Sequence, residues 1–365
     1  MSNERTPLLP QRQQDHSALL GRRKINRSGV KVVFCACLGL IGVGIFLCRS
    51  KENPKLTQIA SRASDQNLNL SFLVVGDWGR HGLYNQSIVA EQMGRIGNDL
   101  GIAFVISTGD NFYDTGLTSA DDPAFTSSFT DVYTASSLQT MWYTVLGNHD
   151  YMGDAVAQLS DELVRRDSRW FCRRAFQLNY TLCDGTSEGS CDASVDMFFF
   201  DTTPFIDEYW SANNTQFFNW TGLAPRSVQL QSQLDDLERA LNSSIATWKI
   251  VVGHHTIRSI GHHGDSAELI QMLLPILEEY EVDAYINGHD HNVQHIKRAD
   301  CSVHFFTSGG GSKAYSGLSS YTEEQGVLYA NDGQGFLAVR MSPQSMVFSL
   351  YDVSGDAAYS FLLQK

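Results

Sequence analysis

The sequence predicts an α/β domain, on three observations. Five short apolar runs, SFLVVGD, IAFVISTGD, MWYTVLGN, WKIVVGH and VDAYINGH, each end in a polar pair. Helical patterns lie between several of them, at roughly 85–100, 154–166, 227–241 and 266–280. The tail adds FLAVRM, MVFSLYD and YSFLLQ, which read as further, antiparallel strands. Strands alternating with helices mark an α/β body. Runs that are apolar throughout, rather than alternating, belong to strands covered on both faces.

Taken in chain order, the N-terminal part differs from the rest. Residues 1–63 hold 11 Lys/Arg against three Asp/Glu, whereas residues 64–365 hold 16 against 37. The stretch 32–48, VVFCACLGLIGVGIFLC, carries no charge and is at the lower limit for a membrane-spanning helix. The basic region before it is too long for a usual signal peptide, and no small-x-small cleavage site follows. The expected layout is therefore a cytosolic tail (1–31), a transmembrane signal anchor (32–48), a polar stem (49–67) and one catalytic body (68–365). The body is large enough to need no disulfide or metal for stability.

Six sequons follow the apolar run, at Asn69, Asn85, Asn179, Asn213, Asn219 and Asn242, which places the body on the lumenal or extracellular side. Glu4, Leu8 and Leu9 in the tail resemble an acidic dileucine signal, implying a clathrin adaptor as partner. The expected location is an endosomal, lysosomal or vacuolar membrane, with a secreted or cell-surface form as the alternative. An acidic body lacks the basic stripe that nucleic-acid binding requires. Seven cysteines include no CxxC pair, excluding a zinc ribbon or thioredoxin-like motif. Cys183 and Cys191 bracket a short loop that a disulfide could pin. Val228, Leu230, Leu234, Leu237 and Leu241 form a stripe read as core packing.

The five predicted strand ends deliver ligand-type residues. They are Gly76-Asp77-Trp78-Gly79, Gly109-Asp110-Asn111-Phe112-Tyr113, Gly147-Asn148-His149-Asp150, Val251-Val252-Gly253-His254-His255 and Gly288-His289-Asp290-His291. In open α/β sheets, sites form beyond the carboxyl ends of strands. Carboxylate, carboxamide, imidazole and phenolate suit iron, zinc or manganese. Two such ions can share a carboxylate and clamp a phosphoryl group. The glycine ahead of each ligand suits a tight turn and a close backbone approach.

These blocks resemble the purple acid phosphatase pattern D-x-G, G-D-x-x-Y, G-N-H-D, V-x-x-H, G-H-x-H, with every position filled. Gly79 stands where the wider metallophosphoesterase superfamily has a histidine, and Tyr113 follows Asp110 by three. The resemblance, over about 68–365, is to the small, tartrate-resistant branch. It implies a four-layer sandwich with two central mixed β-sheets flanked by helices. It also implies an acid phosphatase that hydrolyses phosphomonoesters at an Fe(III)–M(II) site by attack of metal-bound hydroxide, M being iron, zinc or manganese. Asp77, Tyr113 and His291 would hold the ferric ion, Asn148, His254 and His289 the divalent ion, and Asp110 would bridge them. His149 would contact the substrate phosphate. His263, with His262 sharing the role, would assist the leaving group, and an unperturbed imidazole there would be cationic at acid pH. Asp290 is expected at the site's edge. No role is assigned to His255, because the mammalian relatives carry an aromatic residue there. The loop 205–226 reads either as a substrate wall or as a glycosylated surface loop. Two rival functions remain: a phosphodiesterase, phytase or nucleotide hydrolase on the same scaffold, and a non-catalytic membrane-bound metalloprotein, which predicts at least one lost ligand.

Overall fold

The structure, a computed structural model, describes residues 69–183 and 191–365. The predicted tail, anchor and stem lie outside the described residues, and no helix among the described ones is long and apolar enough to cross a membrane.

Two seven-stranded sheets form the centre. The strands are β1 (Leu70–Val75), β2 (Phe104–Ser107), β3 (Met141–Thr144), β4 (Trp170–Cys172), β5 (Ala175–Leu182), β6 (Ala193–Phe200) and β7 (Trp248–Val252), then β8 (Ala284–Asn287), β9 (Val293–Ile296), β10 (His304–Ser308), β11 (Val327–Asn331), β12 (Gly335–Met341), β13 (Ser345–Asp352) and β14 (Ala357–Gln364). The first sheet runs β14-β13-β12-β1-β2-β3-β4 and the second β11-β9-β10-β8-β7-β6-β5. Strands β1 to β4 are parallel, and the β12–β14 tail adds antiparallel partners, beginning with Leu70 opposite Met341. In the second sheet β6, β7, β8 and β10 run parallel.

The period-2 alternation of strand side chains sorts the core into layers. Leu70, Phe72 and Val74 of β1 face the second sheet, meeting Trp248, Ile250, Ile286 and Phe306 in a shared core. Leu73 and Val75 face the opposite way, onto Val89, Met93 and Ile96 of helix α1 (Gln86–Leu100). Beyond the second sheet, Val251, Tyr285 and Phe305 pack with residues of α5, α6 and α7, defined below. Helix, sheet, sheet and helix make the four expected layers. Each fully buried aliphatic or aromatic side chain contributes about 2 kcal/mol.

Other helices are α2 (Asn148–Met152), α3 (Ala155–Gln158), α4 (Asp161–Arg166), α5 (Arg226–Ser243), α6 (Ala267–Met272) and α7 (Leu274–Glu279). Two of the predicted helices are split. Ser160 accepts from the Glu162 N–H and restarts the chain as α4. Pro275 lacks an N–H and begins α7 afresh. On α5 the stripe holds only in part: Leu237 and Leu241 are buried, while Val228 is exposed. The hairpin β5–β6 was not legible as strands, because β5 is an edge strand on which exposed and half-buried residues alternate. Cys183 and Cys191 form the disulfide; Cys172 and Cys301 are buried thiols.

A titratable pair sits where the sheets meet. His295 of β9 hydrogen-bonds through Nε2 to His304 Nδ1 of β10 at 2.9 Å, and through Nδ1 to the Tyr359 hydroxyl of β14 at 3.0 Å. Burial, then Lys297, holds the His304 imidazole down at about 4, and burial holds His295 lower than usual as well. A depressed folded-state value means that the unfolded chain takes up protons first as pH falls. Stability conferred by the neutral pair is therefore full above about 6.5 and is lost from there down toward about 4. His304→Phe is expected to flatten the decline of unfolding midpoint over that window by about one proton. An unchanged slope in denaturant titrations would contradict the assignment.

Candidate metal centre

The five predicted loops converge at the carboxyl ends of both sheets. Asp77 follows β1, Asp110 and Tyr113 follow β2, and Asn148 follows β3, all from the first sheet. His254 follows β7, and His289 and His291 follow β8, from the second sheet. All seven are buried.

Asp77, Asp110 and His289 take left-handed backbone conformations, with φ of 61°, 48° and 68°. Such geometry costs a residue with a side chain about 1 kcal/mol or more and concentrates at functional sites. The tight turn thus falls mainly on the ligands themselves, where the sequence suggested the preceding glycines. Of those glycines Gly109 shares the left-handed turn, at φ 96°, while Gly147 and Gly288 serve close approach. A Cβ on Gly147 would strike the Asp110 backbone nitrogen, and one on Gly288 the Asp77 carboxylate. Gly79 lies against Asn111 and Phe112 so closely that no side chain fits there, and a histidine ligand is excluded.

The donor atoms form two groups that share Asp110. In the first, the Tyr113 hydroxyl lies 3.0 Å from Asp77 Oδ1, 2.9 Å from Asp110 Oδ2 and 2.9 Å from His291 Nε2. In the second, His254 Nε2 lies 3.0 Å from Asn148 Oδ1, 3.2 Å from His289 Nδ1 and 3.5 Å from Asp110 Oδ1. Tautomers follow from the outer partners. His254 Nδ1 must donate to the Thr108 carbonyl at 2.9 Å, and His291 Nδ1 to the Lys313 carbonyl at 2.6 Å. Their Nε2 atoms are therefore bare lone pairs. The His254 lone pair faces a carboxamide oxygen and a carboxylate oxygen with no proton between them. A cation would satisfy these converging lone pairs together, and the oxygen–nitrogen donor set fits iron with a second divalent ion.

The electrostatics agree. Burial, then the Asp110 charge, pushes the Asp77 carboxyl well up. Burial also pushes Asp110 up, but the imidazoles of His254 and His149 and its hydrogen bonds outweigh this and hold it low. Burial and the two carboxylates raise the Tyr113 phenol, against which the Arg80 guanidinium acts from 3.7 Å over the ring. Burial holds His291 at about 3, so it is neutral and free to ligate.

The ligands floor a cavity of about 300 Å³, whose walls include His149, His263, Tyr209 and Glu208. The His149 backbone N–H donates to Asp110 Oδ1 at 2.8 Å, and its ring packs 4.5 Å from the Tyr113 ring. His263 stacks on the His289 ring at 4.0 Å, and its backbone N–H donates to Asp290 Oδ1 at 2.8 Å. Desolvation lowers the His263 imidazole, with Asp290 opposing, although the residue itself is exposed. His262 is exposed and lies against the His263 and Tyr315 rings. Asp290 is fully buried beneath the His263 loop rather than at the rim. The loop 205–226 supplies Glu208, Tyr209 and Gln216 to the cavity, as the substrate-wall reading expected, and it also exposes Asn213.

Two supporting residues escaped the sequence reading. Arg80, which pairs with Asp114 at 2.7 Å, gave no signal. Asp150 stood in a quoted block without a role. Its carboxylate accepts from the N–H groups of Gly147, Asn111 and Phe112 and from the amides of Asn111 and Gln158, at 2.8–3.2 Å. It thereby locks the loops after β2 and β3 together. Asp150→Asn turns an NH2 group onto these donors and is expected to cost about 2 kcal/mol, read as a lower urea midpoint. A wild-type midpoint would refute that role.

The calcineurin-like phosphoesterase family model matches residues 70–293. Purple acid phosphatase 3 of Arabidopsis thaliana is 53% identical over 287 residues, covering 78% of this chain and 75% of that protein. Purple acid phosphatase 17 of the same plant is 49% identical over 347 residues, covering 94% and 97%. Human tartrate-resistant acid phosphatase type 5 is 30% identical over 315 residues, covering 81% and 91%. Among solved structures, the Plasmodium protein GAP50, described as the anchor in the inner membrane complex, superposes with a TM-score of 0.68 at 26% identity, covering 82% of this chain and 89% of that one. Purple acid phosphatase PPD1 from yellow lupin superposes with a TM-score of 0.58 at 15% identity, covering 81% and 53%.

Proposed function

Because this chain belongs to the purple acid phosphatases within the calcineurin-like phosphoesterase family, we propose that it hydrolyses phosphomonoesters at acid pH. The observation that carries this reading is the pair of donor groups joined by Asp110, facing one cavity, with proton-free ligand atoms turned toward each other. Bound there, an iron(III)–divalent pair supplies Lewis acidity sufficient to make water a nucleophile at acid pH.

The protein's own residues do the rest. Asp77, Tyr113 and His291 would hold one ion, Asn148, His254 and His289 the other, and Asp110 would serve both. His149 donates through its ring Nδ1 to the Asp114 carbonyl, which leaves Nε2 for a phosphoryl oxygen once that nitrogen is protonated. His263 gives a proton to the departing alkoxide oxygen. Its lowered basicity makes it a stronger acid once protonated, and a bound phosphate dianion favours that protonated form. Asp290 fixes this loop from below, accepting also from the Ser259 hydroxyl.

The test is metal analysis, the visible spectrum and a rate comparison at acid pH on p-nitrophenyl phosphate and its bis ester. Iron with a second metal, a visible band and faster monoester cleavage are expected. Faster diester cleavage favours the phosphodiesterase rival. A protein without iron that cleaves neither ester overturns the reading. The non-catalytic rival requires a missing ligand, and all seven are in place.

The anchored layout extends this proposal. It is supported by the uncharged run 32–48 and by the surface position of the sequons: Asn69, Asn85, Asn179, Asn213 and Asn242 are exposed and Asn219 half-buried. The body then works in an acidic lumen, with Glu4, Leu8 and Leu9 presented to cytosolic adaptors. The full chain is expected to stay with membranes through alkaline carbonate extraction and to shift in mobility after N-glycan removal. Release into the carbonate supernatant would rule out the anchor.

A further inference from the structure

Tyr209 walls the cavity beside Asp110, Asn148 and His149. Its hydroxyl has a partner behind it, His255 Nε2 at 2.9 Å. His255 in turn has Thr202 Oγ1 at 2.8 Å from Nδ1. His255 and Thr202 are both buried.

The direction of each proton follows from Thr202. Its Oγ1 accepts two backbone N–H groups, from His255 at 3.0 Å and from His254 at 3.3 Å. With both lone pairs engaged, the hydroxyl proton goes to His255 Nδ1. That nitrogen is then an acceptor, and the neutral imidazole carries its own proton on Nε2. The Nε2–H therefore donates to the Tyr209 oxygen. His255 is left without a lone pair for a cation, although its ring nitrogens lie within 4.8 Å of ligand atoms of His254 and His289.

What remains is the proton of Tyr209. Its oxygen already accepts from His255, and among the described residues no acceptor takes its O–H. Burial and the Asp110 charge keep the phenol protonated. The ring is held in place, stacked on Phe218 at 4.6 Å. A buried relay thus presents one fixed O–H donor to the cavity that the two donor groups floor.

We propose that Tyr209 donates a hydrogen bond to a phosphoryl oxygen of the bound ester, and that Thr202 and His255 aim it. Tyr209 is then a catalytic contact, and His255 is a positioning residue that acts through it. The assignment rests on the phosphatase reading and adds a donor on the cavity wall beside Asp110 and Asn148, able to meet charge that gathers on a phosphoryl oxygen.

The experiment compares wild type, Tyr209→Phe, His255→Phe, His255→Gln and the Tyr209→Phe/His255→Phe double variant, all as the full chain. Tyr209→Phe is expected to lower kcat/KM for p-nitrophenyl phosphate about tenfold and to raise the inhibition constant of inorganic phosphate by a similar factor. Iron content and the visible band stay unchanged. His255→Phe gives the same loss, and the double variant is no worse than Tyr209→Phe, as required of two residues acting in series. His255→Gln, whose amide can accept from Thr202 and donate to Tyr209, recovers most of the activity. Wild-type kcat/KM and phosphate inhibition in Tyr209→Phe would overturn the proposal, and multiplying losses in the double variant would overturn the relay. If His255→Phe does not fold, Tyr209→Phe alone decides the contact. A wild-type protein inert toward the ester would instead refute the phosphatase reading itself.

Discussion

Asp110→Asn is expected to fold normally, bind less than a full pair of metals and lose phosphatase activity by at least about a thousandfold. One oxygen of Asp110 belongs to the group around Tyr113 and the other to the group around His254. The substitution therefore puts an NH2 group where the ion beside Tyr113 would need an oxygen, and it removes the anion that would screen the two ions from each other. Volume and the acceptor for the His149 N–H are retained, so the scaffold has no reason to collapse. Steady-state kinetics with metal analysis and a melting curve check all three expectations. Activity within tenfold of wild type would show that the carboxylate is not shared.

Tyr113→Phe is expected to bleach the protein. The phenol is buried between two carboxylates that keep it protonated when no ion is present, and only a strongly acidic cation can convert it to phenolate. A visible charge-transfer band then reports that contact and nothing else in the chain. Removing one oxygen leaves the ring, its packing on His149 and the Arg80 guanidinium in place. The variant should therefore stay folded and retain a second metal while its visible absorbance disappears. A Tyr113→Phe protein with the wild-type spectrum would mean that the colour comes from another ligand.

The parts of this arrangement that were legible in the sequence are those written as contiguous patterns. Each central parallel strand is a short apolar run, and the seven residues follow the strand ends by two to six positions, so periodicity and chain order located β1, β2, β3, β7 and β8 with the ligand-type residues after them, and the resemblance picked out the seven. Division into two sheets was not in those patterns; it came from the resemblance. The edge strand β5 alternates, Phe176, Leu178 and Tyr180 with Gln177, Asn179 and Thr181, so it lacks the continuous apolar run that marks the central strands. Groups that act through tertiary contact left no mark: Arg80 over Tyr113, Asp150 under two loops, and the Thr202–His255–Tyr209 relay join residues 34 to 53 positions apart. The lowered basicity of His263 depends on desolvation, which no local pattern encodes.

Asp77, Asp110, Tyr113 and Asn148 hang from one sheet and His254, His289 and His291 from the other. The cations are therefore rivets as much as reagents. Bound as proposed, they would fasten the two halves of the sandwich at one rim, adding to the packing and hydrogen bonds, such as Ser308 to Val74 and His295 to Tyr359, that join the sheets elsewhere. Chelation should unfasten that rim before the core gives way, with amide exchange quickening first in the loops after β7 and β8. In a coloured protein the hue becomes a gauge of how the halves are seated, readable from a cuvette.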